Sequence, residues 1–412
     1  MSAARARIGS KLAIAGALMA LGACGGGGDG GGGNNNPPPP PPATGFDASA
    51  VLGALATDTI FATYTEMSGA TSDLLDAVNV LAAGNVTRAT LQAAQDAWIA
   101  ARVPWEASEG FLWGPIDTQG LDPGLDSWPV DKVQLDNVIA SNLDLSDQGV
   151  IDTLDTTVKG FHTIEYLLFN DGTGNQDTYG CGVAPSGTDA CLDNIITALT
   201  SDPRRLEYLV GITIDVHDVA ASAVEAWDAA GGDYINTVED AGQGSTVYTS
   251  QRSVMQEVVQ GLIGITDEVA NAGKINDPFT AHDPLTVESK FSGNSLTDFQ
   301  YNIRSIRNIY CGMYSGTPDD TDTVCGTAGD AGLTAFVSDE DAALDATVRA
   351  QIDDAVDAIG LIPEPFEQAV IDSATDADVE ASIQSAIDAI NVLKATLEGE
   401  VTDLVADSEF AF

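Results

Sequence analysis

His162 stands three residues before Glu165 in the apolar run "TVKGFHTIEYLLFNDG" (157–172), in a chain of 412 residues that has only three histidines. On a helix of 3.6 residues per turn, Val158, His162, Glu165 and Phe169 share one stripe, flanked by Phe161, Ile164 and Leu168. Imidazole and carboxylate on an apolar face are costly unless each finds a partner. A metal ion would serve both, because a His and a Glu one turn apart can ligate one ion from a bundle interior. A hydrogen bond between the two inside a core would serve as well. Gly160 leaves room beside them for a second helix to approach closely.

A second stretch, "AWIAARVPWEASEGFLWGPID" (97–117), carries further candidates. Pro104 cannot continue the helical ladder, so it is expected to kink a helix or start a new one. Beyond it Glu106 and Glu109 lie three apart, and Arg102, Trp105, Glu109 and Leu112 fall on one side. Glu106 suits a first-turn acid drawn by the helix dipole. Glu109, between Trp105 and Leu112, is the stronger ligand candidate, with Arg102 beside it.

One histidine plus carboxylates is an oxygen-rich donor set, suited to iron, manganese or calcium. Zinc held by His162, Glu165 and Glu109 with one position for water remains open. The His-Glu-x-x-His and His-x-x-Glu-His peptidase signatures need two histidines on adjacent turns. Position 166 is Tyr and the other histidines are His217 and His282, so neither signature is present. No Gly-x-Ser-x-Gly elbow appears either. His217 matches no motif and reads as structural; His282, bracketed by prolines, reads as an exposed loop residue. The acidic loops "DGTGNQDTYG" and "TPDDTDTVCG" invite calcium but lack EF-hand spacing.

The elements that must position these groups are helical almost everywhere after Phe46. Asp202 is an expected N-cap with Pro203 in the first turn, opening a stripe from Leu206 to Trp227. Ser295 and Asp298 have the spacing of a capping box before the stripe Phe299, Ile303, Ile306, Tyr310. The expected fold is all-α, as two helical bundles side by side: 46–240, which carries the His–Glu pair, and 241–412. The break falls within "GGDYINTVEDAGQGS" (231–245).

Sixty-two Asp and Glu oppose 16 Lys and Arg, a formal net charge of −46. That argues against a nucleic-acid partner and favours cations. Residues 1–23 read as a leader: Arg5, Arg7 and Lys11 precede an apolar run too short to span a bilayer. It ends in "LGAC", which resembles a bacterial lipobox, so Cys24 is the expected lipidation site and membrane anchor. Residues 24–45, rich in Gly, Asn and Pro, form a tether. The expected location is the cell envelope, at the outer membrane, on its periplasmic or surface side. The remaining cysteines form two close pairs, read as loop disulfides Cys181–Cys191 and Cys311–Cys325 in an oxidising compartment. Zinc is the weaker alternative there, for want of a Cys-x-x-Cys.

"GFHTIEYLLF" resembles the Gly-x-His-x-x-Glu signature of the imelysin family, whose members include iron-regulated and periplasmic iron-uptake proteins. Three further stretches match in order: 97–117, then "ESKFSGNSLTDFQYNIRSIRNIYCGMYSG" (288–316), then "IPEPFEQAV" (362–370). The resemblance implies an all-helical protein of two bundle-like domains with a metal-related site between them, carried by Gly160, His162 and Glu165. Arg102 and Glu109 match the family's Arg and Ser-Glu motif; Ser292, Asp298 and Asn302 match its Phe-Ser…Asp…Asn motif. Asp298 reads equally well as a capping acid. The resemblance makes His162, Glu165 and Glu109 the expected metal ligands, with Arg102 and Asp298 orienting them or holding an anionic co-ligand. It implies a role in metal acquisition, iron first, with an envelope iron-transport partner. An envelope metallopeptidase and a binding module without metal are the alternatives.

Overall fold

The computed structural model describes residues 45–84, 86–170, 189–316, 325 and 331–412. Cys24 with its leader and tether, Cys181, and nearly all of both acidic loops lie outside those residues. The described residues hold no β-strand, and one isolated bridge joins Phe46 to Phe410. The all-α expectation therefore holds.

Eight helices define the body: α1 (Ala62–Ala82), α2 (Arg88–Glu106), α3 (Phe161–Phe169), α4 (Pro203–Trp227), α5 (Gln251–Ala270), α6 (Ser295–Cys311), α7 (Ala342–Gly360) and α8 (Ala377–Thr396). Helix α1 packs on α2 and α4, and α3 packs on α2 and α4 from another side. Later in the chain α6 packs on α5 and α7, and α8 packs on α5 and α7. Helix α6 also lies against α2, and residues 43–412 form one compact unit.

Local chemistry sets the helix starts. Thr87 and Thr90 cap α2 reciprocally, Asp202 accepts from the Arg204 amide ahead of Pro203, and Ser250 accepts from Ser253. Three expectations about local structure change. Pro104 opens no new helix: α2 runs two residues past it and stops, so its missing N–H falls in the last turn. Glu109 accordingly sits in a separate 3-10 turn, Glu109–Phe111. Ser295 and Asp298 form no capping box, because Ser295 Oγ donates to the Glu288 carbonyl and to Glu367, and the Asp298 carboxylate turns to Arg102. Helix α3 is shorter than the apolar run suggests. It begins after Gly160, and all nine of its residues are buried, so it is a core helix rather than an amphipathic one.

The Cys311–Cys325 disulfide is formed at the end of α6. Of the other expected pair, Cys191 sits in the first turn of the helix Asp189–Ser201, not in a loop, and is disulfide-bonded. Its expected partner Cys181 lies outside the described residues, so the Cys181–Cys191 pairing does too. The segments around Phe46 and Phe410 are stitched together. Phe46 N donates to the Glu409 carbonyl (2.8 Å) and Ala411 N to the Phe46 carbonyl (2.9 Å). Buried Gln251 rivets this seam to α5: its Oε1 accepts from Ala48 N, its Nε2 donates to Ser49 Oγ, and its own N donates to the Phe412 carbonyl.

Candidate metal centre

Helix α3 delivers His162 and Glu165 into the core side by side. His162 Nδ1 lies 3.0 Å from Glu165 Oε2, and both side chains are fully buried. Glu165 Oε1 is saturated by the amides of Phe291 (3.0 Å) and Ser292 (2.8 Å) and by Ser292 Oγ (2.8 Å). Glu165 therefore fixes the imidazole from behind, in the way metal-binding histidines are oriented by a carboxylate on their other nitrogen.

The opposite nitrogen, Nε2, faces two carboxylates that no sequence motif singles out. It lies 3.1 Å from Asp126 Oδ1 and 3.5 Å from Glu288 Oε1, yet it makes no well-directed hydrogen bond. A ligand atom from each of Asp126, His162 and Glu288 lies within 4.8 Å of the others. Asp126 is held by Trp105 Nε1, which donates to its Oδ2 (2.7 Å), and by the Arg102 guanidinium on Oδ1. Glu288 Oε1 is shared with Lys274 Nζ (3.2 Å) and with Arg102 (3.5 Å).

Glu109, expected as a ligand, lies on the other side of this cluster. It pairs with Lys274 (3.0 Å) and accepts from Asn302 Nδ2 (2.8 Å). It shares a second group of converging carboxylates with Glu106 and Asp126. Glu106 is fully buried, paired with Arg102 and Asn302. Asp298 accepts from Arg102 (3.1 Å), Ser289 and Asn294. The structure thus gathers every residue of the expected site around one cluster but separates their positions. His162 presents Nε2 to Asp126 and Glu288; Glu165 sits on Nδ1, and Glu109 sits on Lys274. His217 is half-buried beside Asp218, and His282 is exposed; neither approaches the cluster.

Gly160 has its own reason. It precedes α3 at φ +81°, and a Cβ there would lie 2.4 Å from the Leu125 carbonyl oxygen. The signature glycine is what lets the Asp126 segment close onto His162.

The electrostatics are lopsided. Among the described residues, Glu106, Glu109, Asp126, Glu165, Glu288 and Asp298 gather around two obligate cations, Arg102 and Lys274. Arg102 is enclosed between the faces of Trp98 and Phe161, and Lys274 is 3% exposed. Burial opposes ionisation of Asp126, but Arg102 and His162 outweigh it and hold its carboxyl well below the usual range. Burial likewise works against Glu288, while Lys274 and His162 bring it down to about 2. Burial pushes Glu106 up to about 8 despite Arg102, and it pushes Glu109 well up despite Lys274. Desolvation disfavours the His162 imidazolium, yet Asp126, Glu165 and Glu288 raise its pKa well above the ordinary value. The cluster retains protons because it has more carboxylates than cations. A bound cation would relieve the same imbalance. An Nε2 that faces two carboxylates without a well-directed hydrogen bond, the oxygen-rich surroundings and the surplus of negative charge all fit a metal ion.

Glu367, in the 362–370 stretch, is buried below this cluster. Its Oε1 accepts from Ser295 Oγ (3.0 Å) and its Oε2 has no partner. Burial pushes its carboxyl up to about 8. The unfolded chain releases this proton near the ordinary value of 4.5, so folding is penalised progressively as pH rises from there to about 8. Glu367→Gln removes the ionisation. It is expected to stabilise the protein by about 1–3 kcal/mol above pH 8 and to change little at pH 5, as read from urea denaturation at the two pH values.

The imelysin family model, named among the peptidases, matches residues 60–397. "Iron-regulated protein A" of Synechococcus elongatus is 30% identical over 231 residues, covering 56% of this chain and 55% of that protein. The alignment thus spans little more than half the length of that curated relative. A solved structure described as an iron-regulated protein A precursor, from Parabacteroides distasonis, is 28% identical with a TM-score of 0.70, over 88% of this chain and 98% of its own. An imelysin-like protein from Psychrobacter arcticum shares the fold at 13% identity, with a TM-score of 0.63 and the same coverage.

Asp126, Glu288 and Lys274 are hidden in the sequence for different reasons. Asp126 lies in "GLDPGLDSWPVD", where prolines and glycines erase any periodicity that could assign a face. Glu288 heads the matched 288–316 stretch but precedes its helix. Lys274 gives one signal, scarcity: it is one of 16 basic residues in a strongly acidic chain.

Proposed function

The chain belongs to the imelysin family, and from that premise we propose that it binds a metal ion through His162 Nε2, Asp126 and Glu288 and serves in iron handling at the cell envelope. The observation that carries the reading is the buried Nε2, without a well-directed hydrogen bond, facing the carboxylates of Asp126 and Glu288 while Glu165 occupies Nδ1. Two relatives named for iron regulation support iron as the metal. When bound, the ion would supply positive charge that lets the surrounding carboxylates ionise together. Glu165 orients the imidazole, Trp105 holds Asp126, and Arg102 and Lys274 brace Asp126 and Glu288 from outside. Those two fixed cations also oppose a third, which favours reversible uptake over permanent retention.

The cluster draws Arg102, Asp126 and His162 from before residue 240 and Lys274, Glu288 and Asp298 from after it. A site between two helical domains is the reading this supports. The "LGAC" sequence supports lipidation at Cys24 and attachment to the outer membrane, with an envelope iron-transport partner. No described helix is long and apolar enough to cross a membrane.

Purified wild type is expected to take up about one equivalent of iron or manganese, with proton release as His162 and the raised carboxyls lose their protons. Asp126→Asn and His162→Ala are expected to weaken uptake by about 100-fold, and Glu165→Gln by about 10–100-fold. Titration with metal analysis by mass spectrometry reads this directly. Equal uptake by wild type and Asp126→Asn would overturn the assignment. The metallopeptidase alternative predicts chelator-sensitive peptide hydrolysis by the same preparations. Against it stands burial: catalytic zinc needs a position that substrate can reach, whereas His162 is wholly enclosed.

A further inference from the structure

Lys274 sits in the turn after α5, held there by its own N–H to the Glu268 carbonyl (3.4 Å) and by Ile275 N to the Val269 carbonyl (3.1 Å). The turn sends its side chain inward, 3% exposed, among oxygens from distant parts of the chain. Nζ lies 3.0 Å from Glu109 Oε2, 3.2 Å from Glu288 Oε1 and 3.8 Å from Glu106 Oε2. Asn302 faces the same oxygens from α6. Its Nδ2 donates to Glu106 Oε2 and, at 2.8 Å, to Glu109 Oε2, while its buried Oδ1 has no hydrogen-bond partner. Oxygens of Glu106, Glu109 and Asp126 converge closely enough to share one ion, and Asp126 also belongs to the group around His162. An ammonium with three donors thus stands among carboxylates that are the usual ligands of a hard cation.

We infer that Lys274 is the built-in occupant of a second cation site, joined to the first through Asp126, and that it limits the protein to one metal ion. The inference rests on the reading of His162, Asp126 and Glu288 as metal ligands and names what sets their stoichiometry. A fixed positive charge among these oxygens repels a second ion at close range. It also balances Glu109 and Glu106 without drawing any ion from solution. Acidic oxygens alone would not make a site, since buried carboxyls can keep their protons instead. What marks this one is that it already holds a cation and that an unpartnered amide oxygen lies beside it. A half-turn of the Asn302 amide exchanges Nδ2 for Oδ1 and makes a donor to the carboxylates into a further ligand.

Manganese is the probe, titrated into the full chain and counted from the loss of the free-ion signal in electron paramagnetic resonance. Wild type is expected to bind about one ion and Lys274→Met about two, spin-coupled through Asp126 as in paired-metal sites. Lys274→Gln is measured beside it, because its amide can still donate toward Glu109 and so support the fold where methionine does not. It too is expected to gain the second ion; thermal melts verify that the variants fold. Lys274→Arg should stay at the wild-type count. So should Lys274→Met combined with Glu109→Gln, which removes a ligand of the second site and none of the first. A wild-type count in both charge-removing variants would mean that protons take the place of Lys274, and the inference falls while the metal reading stands. A second ion already present in wild type would overturn it as well. Wild type that takes up no manganese would overturn the metal reading and this inference with it.

Discussion

Arg102→Met is expected to destabilise the protein by about 3–5 kcal/mol, among the largest losses available to a single substitution in this chain. The guanidinium is fully buried and touches Glu106, Asp126, Asp298 and Glu288 at once. Methionine fills a similar volume between Trp98 and Phe161 but leaves those carboxylates with Lys274 as their one remaining obligate cation. The deficit carries a sign in pH. Without Arg102 the carboxyls need more protons to stay buried, so the loss should be largest near pH 8 and shrink toward pH 5. Arg102→Lys should rescue little, because one ammonium cannot reach Asp126 through one nitrogen and Glu106 and Asp298 through another. Urea denaturation across that pH range measures the effect. A loss below about 1 kcal/mol, the scale of a surface ion pair, would mean that the cluster is not held together by Arg102.

Gly160→Ala is expected to be comparably severe through backbone geometry alone. An alanine at φ +81° and ψ −173°, a combination essentially confined to glycine, costs about 1–3 kcal/mol. Here its methyl would also press to 2.4 Å from the Leu125 carbonyl oxygen and 3.0 Å from that of Gly124, which are backbone atoms with little freedom to yield. The segment from Gly124 to Asp126 must retreat, so Asp126 withdraws from His162. The expected result is a total loss on the order of 3 kcal/mol together with a fall in metal affinity of about tenfold or more. Gly264→Ala is the control. That glycine lies inside α5, and a methyl added to it would meet nothing within 4 Å, so alanine should be neutral or stabilising by about 0.5–1 kcal/mol. Should Gly160→Ala behave like Gly264→Ala in both stability and uptake, the account of the signature glycine is wrong.

His162 and Glu165 were legible because a 3.6-residue period puts them on one apolar stripe, and the structure keeps them in contact. Their spacing alone left open whether a metal or a mutual hydrogen bond satisfies them. In the fold Glu165 takes Nδ1, and the question passes to Nε2, whose neighbours come from the last residue of the five-residue helix Asp122–Asp126 and from a turn at Glu288. Neither a helix of barely more than one turn nor a turn carries a period that assigns its residues to a face, so Asp126 and Glu288 could be found only once the chain was folded. Asp298 was ambiguous for a related reason: an acid in the first turn of a helix satisfies the dipole whether or not a distant arginine lies opposite. The all-α architecture was plain in the apolar repeats and caps. The length of α3 was not, because Gly160 stops the helix through a contact with a residue far back in the chain.

The stitching of Phe46 to Glu409 and Ala411 bears on how the chain comes to be made. A polypeptide is delivered from its amino end, so residues 45–49 emerge early and wait for neighbours that emerge much later. Until residues 409–412 arrive, Gln251 has one side of its contacts to make and the first turn of the body lies uncovered. A truncated product missing only 409–412 would therefore be frayed at its opposite end in sequence, and a protease acting there would cut near residue 46 and not at the site of the deletion.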